Sequence, residues 1–127
     1  MAIQPLLFGK RSEEIAAQYL CSKGYRILDR NYRTPRGELD LIAEDGDVLV
    51  FVEVKARRGV GFGEPQWAVD GRKRQHLIKA SLFYLSRKKI QDRCCRFDVV
   101  VVREDKQGRL NIDLIQNAVE LEGTNFS

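Results

Sequence analysis

A chain of 127 residues, 43% hydrophobic and 31% charged, is sized and composed for one globular domain, 1–127, with its own core. That balance excludes a disordered or low-complexity chain, and the short apolar run in MAIQPLLFGKRSEE is neither a signal peptide nor a spanning segment, so a cytoplasmic protein without membrane contact is expected. The net charge of +4 is modest, and the three cysteines, Cys21 alone and Cys94 beside Cys95, have neither disulfide nor zinc spacing and read as reduced, partly buried thiols.

The first periodic segment covers residues 10–23. Ile15, Ala16, Tyr19 and Leu20 recur at helical spacing, Ser12, Glu13 and Glu14 enrich the first turn, and Gly24 ends it. Acidic residues there are commonly explained by the helix dipole. Residues 25–32 (YRILDRNY) read as a strand, closed by the turn-forming Thr34, Pro35, Arg36 and Gly37.

Residues 37–58, GELDLIAEDGDVLVFVEVKARR, have the alternation of two strands around Asp45-Gly46, a strong hairpin signal. With those two as the turn residues, Glu44 faces Asp47. Leu39, Leu41, Ala43, Val48, Val50, Val52 and Val54 then share an apolar face, and Glu38, Asp40, Ile42, Leu49, Phe51, Glu53 and Lys55 share the other. In this register Asp40 is opposite Phe51 and diagonal to Glu53, at about 7–8 Å.

Two carboxylates so placed can reach one divalent cation, since Mg²⁺ takes oxygen ligands at about 2.0–2.1 Å and keeps several waters. Lys55, on the same face, would orient or deprotonate a water or meet phosphate charge. This is the equipment of metal-assisted phosphodiester hydrolysis. The competing explanation is a solvated face with cross-strand ion pairs. Ile42, Leu49 and Phe51 argue against it, because they bury part of that face.

Beyond the hairpin, Gly59, Gly61, Gly63 and Pro65 mark a loop without a P-loop lysine, in which Phe62 or Trp67 could stack on a base or pack on the core. Residues 72–89 read as a basic helix with Leu77, Ile78, Ser81, Leu82 and Leu85 as its stripe. His76, the one histidine, reads as a surface or packing residue. Four consecutive valines within residues 96–103 indicate a strand buried on both faces, with Asp98 structural at its start, and residues 110–116 form a last strand. An irregular segment and a frayed tail follow.

Positive charge collects around the carboxylates in sequence: Arg33 and Arg36 before the hairpin, Arg57 and Arg58 at its end, Arg72, Lys73 and Arg74 after the loop. A polyanion is the natural partner of such a distribution, although a merely solvated basic surface has the same composition.

Asp40 followed by Glu53-Val54-Lys55 resembles the signature of the PD-(D/E)xK, restriction-endonuclease-like superfamily. The longer run NYRTPRGELDLIAEDGDVLVFVEVKARR, with the preceding helix and the later FGEPQWAVDGRKRQHLIKA, resembles the YraN-like family of small bacterial proteins across about residues 9–119. That family is similar in turn to archaeal Holliday-junction resolvases. The resemblance implies that a helix-borne glutamate, matched by Glu13, completes a Mg²⁺ or Mn²⁺ site with Asp40 and Glu53, and that Lys73 and Gln75 lie near phosphate. A serine, Ser12, stands where the familiar pattern has glycine.

The expected fold is therefore α/β or α+β, a mixed sheet with helices on its faces. The expected activity is metal-dependent endonucleolytic cleavage of DNA, with branched DNA a candidate and RNA left open by the residues. A resolvase would act as a homodimer. The rival readings are a nucleic-acid-binding module of the same fold that does not cut, and an adaptor for an acidic protein.

Overall fold

The computed structural model describes residues 5–58 and 71–118. Among them the elements run α1 (Pro5–Ser22), β1 (Arg26–Thr34), β2 (Gly37–Asp45), β3 (Val48–Arg58), α2 (Gly71–Arg87), β4 (Cys95–Glu104) and β5 (Leu110–Ile115). The glycine-rich loop with Phe62 and Trp67, and the segment after residue 118, lie outside the described residues. No described helix is long and apolar enough to cross a membrane.

One five-stranded sheet has the order β1-β2-β3-β4-β5. Three of its pairings are antiparallel, and β3 with β4 is parallel, bridged by the crossover that contains α2. This is the expected mixed α+β sheet with helices on its faces. Ala16, Ala17 and Leu20 of α1 pack with Leu41, Ala43, Val50, Val52, Val100 and Val102 on one side. Leu77, Ala80, Tyr84 and Leu85 of α2 pack with Leu39, Ile42, Leu49, Phe51 and Phe97 on the other. The valine run Val99 to Val102 is buried throughout, as a strand covered on both faces requires.

Several expectations need correction. The hairpin turn is Gly46-Asp47, with Asp45 paired to Val48 and φ of 61° at Gly46. Positive φ at the first central residue alone is the type II′ pattern, whereas Asp-Gly at the centre would require it at both. The register therefore moves by two residues, which preserves the alternation through the paired stretch but sets Phe51 against Ile42. Leu39 departs further, because it packs with the α2 cluster rather than with Leu41. Helix α1 begins at Pro5, so Ser12 and Glu13 stand in its middle and its first turn has no acidic residue. The buried stripe of α2 uses Ala80 and Tyr84, while Leu82 is 47% exposed. Of the thiols, Cys95 is partly buried, and Cys21 and Cys94 are exposed.

A buried polar network ties the turn end of the hairpin to β4. Asp98, 1% exposed, accepts hydrogen bonds from Arg96 Nε, Tyr25 OH and the backbone N–H of Asn117 at 2.8, 2.8 and 3.0 Å. Arg96 also reaches Asp45 at 2.9 Å. The acid is fully engaged, which agrees with a structural role.

Candidate active site

The sheet divides at one end. Pairing between β2 and β3 stops at Leu41 with Val52, while β1 stays on β2 to Gly37 and β4 stays on β3 to Arg58. Extending the register by one position sets Asp40 opposite Glu53 rather than in the diagonal relationship expected from the sequence. The Asp40 side chain occupies the parting: its Oδ2 accepts the Val54 N–H at 2.8 Å. Glu53 is 9% exposed, and its Oε2 has no hydrogen-bond partner among the described residues.

Burial raises the Asp40 carboxyl to about 7, and the neighbouring Glu53 adds to the rise. The Val54 N–H opposes it, Glu13 adds to it, and Lys73 opposes it. The charges are thus held together at a cost, which the core on the α2 side offsets: Ile42, Leu49 and Phe51 each contribute about 1.5–3 kcal/mol by burial.

Glu13 projects from α1 toward this group, and Glu14 points away to pair with the exposed Arg30. Burial raises the Glu13 carboxyl against a hydrogen bond from Asn31, and Glu38 and Glu53 raise it further. With its amide nitrogen turned inward, Asn31 donates to Glu13 Oε2 at 2.9 Å and to Glu38 Oε1 at 3.0 Å. Asn31 and Glu38 were not anticipated as site residues. The signal for Asn31 is conformational, a φ of 51° within a strand, which asparagine adopts more readily than most residues.

Lys55 is half-buried and, by alternation along β3, faces the same side as Phe51 and Glu53. Lys73 Nζ lies 3.0 Å from Glu53 Oε1. Arg33, Arg36, Arg57, Arg58, Arg72 and Arg74 are exposed. Arg33 is 3.8 Å from Glu38. They collect at the divided end because the β1–β2 turn, the last residues of β3 and the first turn of α2 converge there. A Cβ placed on Gly37, at φ 146°, would stand 3.9 Å from His76 Cβ. His76 itself is exposed, as a surface residue should be.

Asp40 and Glu53 offer hard oxygens, one of them unpartnered, and so fit a Mg²⁺- or Mn²⁺-like ion that takes one or two carboxylates and completes its shell with water. Among the described residues, no three carboxylate, histidine or cysteine side chains close around an ion-sized space. Glu13 is engaged with Asn31 and stands beside the pair rather than closing on it. A separate open groove of about 550 Å³, lined in part by Tyr19, Lys23, Tyr25 and Gln116, lies by Asp45 at the other end of β2.

The fold and this arrangement define a small mixed-sheet α+β domain with a carboxylate cluster in the parting of two central strands and basic residues around it. The chain belongs to the family described as uncharacterised protein family UPF0102, the YraN-like family, whose model matches residues 12–102. A UPF0102 protein of Syntrophus aciditrophicus is 50% identical over 118 residues, covering 93% of this chain and 92% of the relative. UPF0102 protein STH1475 of Symbiobacterium thermophilum is 50% identical over 110 residues, covering 87% and 93%. Among solved structures, Pyrococcus furiosus SfsA in complex with Ca²⁺ matches with a TM-score of 0.42 at 18% identity, covering 91% of this chain and 64% of that one.

Proposed function

We propose that this protein is a cytoplasmic, divalent-metal-dependent endonuclease that hydrolyses phosphodiester bonds in DNA, with branched or otherwise structured DNA as the favoured substrate. The observation that carries this reading is the placement of Asp40 against Glu53 in the parting of β2 and β3, beneath a rim of arginines. Two carboxylates side by side, one buried and one partly buried, favour a cation between them, and a rim of that charge attracts a polyanion to the same place.

Asp40 and Glu53 are the residues that would hold Mg²⁺ or Mn²⁺. When bound, the ion supplies Lewis-acid stabilisation of charge on the phosphoryl oxygens. Lys55 orients the attacking water or meets the phosphate charge. Glu13, positioned by Asn31, adds negative charge beside the pair. Arg33, Arg36, Arg57, Arg58, Arg72 and Arg74 hold the nucleic-acid backbone on either side of the parting. A substrate cut on two strands would be served by a homodimer.

The test is a labelled panel of linear, single-stranded, flap and four-way DNAs, with matching RNAs, in Mg²⁺, Mn²⁺ or chelator. Cleavage by the wild type that disappears with chelator, Asp40→Asn or Lys55→Ala is expected. Salt-sensitive binding without cutting, equal in all three proteins, would replace the nuclease with a binding module.

A further inference from the structure

Lys73 is a cation placed directly on the carboxylates. Its Nζ is 3.0 Å from Glu53 Oε1, its side chain is 46% exposed, and that of Glu53 is 11% exposed. It leans inward from the first turn of α2, flanked by Arg72 and Arg74, which stay exposed. Its stem of four methylenes can swing outward without withdrawing any buried residue of α2, since those begin at Leu77.

An ammonium so placed offsets the repulsion between Asp40 and Glu53. It also stands on the same carboxylate that an ion between them would use. Mg²⁺ requires its ligand oxygen at about 2.0–2.1 Å, so an ion on either oxygen of Glu53, whose side chain is 11% exposed, would stand close to the ammonium held on that carboxylate. Repulsion between the two cations, rather than a shortage of lone pairs, sets them against each other. Oε2, buried and without a partner among the described residues, is the oxygen open to the ion, and loading there sets a dication against the Lys73 ammonium across one carboxylate.

We propose that Lys73 is a resident counter-cation that a divalent ion must displace from Glu53, so that the Lys73–Glu53 ion pair and ion loading exclude one another. The pair gives the site a closed state and sets a threshold concentration for loading. Displacement turns the ammonium outward among Arg72 and Arg74, where a nucleic-acid phosphate would meet it. The inference rests on reading Asp40 and Glu53 as an ion site and adds a mechanism of regulation to it.

The experiment is a titration of the full chain with Mn²⁺ in the absence of nucleic acid, followed by calorimetry and by electron paramagnetic resonance. The proteins are the wild type, Lys73→Met, Lys73→Arg, Arg74→Met and Glu53→Gln. Lys73→Met keeps the stem and removes the charge, and it should bind Mn²⁺ ~10-fold or more tightly than wild type, the scale on which groups behind a ligand alter metal affinity. Lys73→Arg should stay near wild type, Arg74→Met should change little, and Glu53→Gln should bind poorly. In the wild type, the ¹⁵Nζ resonance of Lys73 should move on titration with diamagnetic Mg²⁺.

Unchanged or weaker Mn²⁺ affinity in Lys73→Met, with saturable binding by the wild type, would overturn displacement and leave the ion site standing. An equal gain in Arg74→Met would reduce the effect to general surface charge and overturn it as well. Absence of saturable binding in both wild type and Lys73→Met would remove the ion site, and displacement with it.

Discussion

The backbone N–H of Val54 donates to Asp40 Oδ2 at 2.8 Å, just beyond the last β2–β3 pair, Leu41 with Val52. A side chain thus takes up a donor where β2 no longer supplies a partner. Asp40 consequently has two roles, one in closing the backbone and one in the carboxylate cluster.

Those roles separate in Asp40→Asn. The amide oxygen can still accept the Val54 N–H, but the charge is gone. In the native protein the carboxyl is raised from 3.8 to about 7, so between those values the folded state binds more protons than the unfolded state, and stability falls as pH rises. The substitution removes that loss. Asn should have no stabilising advantage near pH 4 and gain about 1–3 kcal/mol at pH 8, a range set by the cost per shifted pKa unit and reduced for coupling to Glu53. Urea unfolding at both pH values checks this, and cleavage should be absent throughout.

The same linkage governs the ion. A carboxyl that holds its proton to about 7 must release it to bind Mn²⁺, so affinity should rise from pH 6 to pH 8 with proton release accompanying binding. Calorimetry in two buffers of different ionisation enthalpy measures the protons directly. A pH-independent affinity with no release would contradict the assignment of Asp40 as a ligand.

Asn31 holds Glu13 and Glu38 by one amide while its backbone stands at φ 51°. Asn31→Gly accepts that backbone freely but deletes the amide, so it should fold and lose about 10–100-fold in cleavage, as expected when a group that orients a site is removed. Asn31→Ala should add a melting-temperature decrease, because alanine resists positive φ. Full activity in the glycine variant would leave the amide without a functional role.

Asp98→Ala should cost about 3–5 kcal/mol in urea unfolding, since it leaves the Tyr25 hydroxyl and the Asn117 N–H without their acceptor and Arg96 with Asp45 as its remaining carboxylate. A change below about 1 kcal/mol would show that water replaces the carboxylate there.

Arg72→Ala combined with Arg74→Ala should weaken binding to different DNA sequences uniformly. If each side chain neutralises one phosphate of a duplex, the slope of log affinity against log salt should become shallower by about 1.8. An unchanged slope would place the nucleic acid elsewhere.

Much of the fold was legible because strands of period two announce their faces. The hairpin illustrates both the strength and the weakness of that signal: the turn moved from Asp45-Gly46 to Gly46-Asp47, yet the two-residue slip kept Glu53 and Lys55 on one side, with Asp40 in the parting beside them. What periodicity could not give was the end of pairing at Leu41, where the Asp40 carboxylate turns into the opening to accept the Val54 N–H. Leu39 changed sides for a related reason, since it lies in the stretch of β2 that pairs with β1 alone. On α2, hydrophobicity alone puts Leu82 in the core, but Ala80 and Tyr84 fit the space against the sheet. Glu13 could be chosen over Glu14 by resemblance. Its position depended on α1 beginning at Pro5 and on a strand asparagine in an uncommon conformation, neither of which composition reveals.

The parting of β2 and β3 has one more consequence. Elsewhere the sheet insulates the α1 layer from the α2 layer, each with its own core. At Asp40 that insulation fails, for the carboxylate feels Glu13 from one layer and Lys73 from the other. The opening acts as a window through the sheet. A change of charge seated in it is felt by both helices at once, so the two halves of the domain share a single electrical junction at the point where their backbone partition is thinnest.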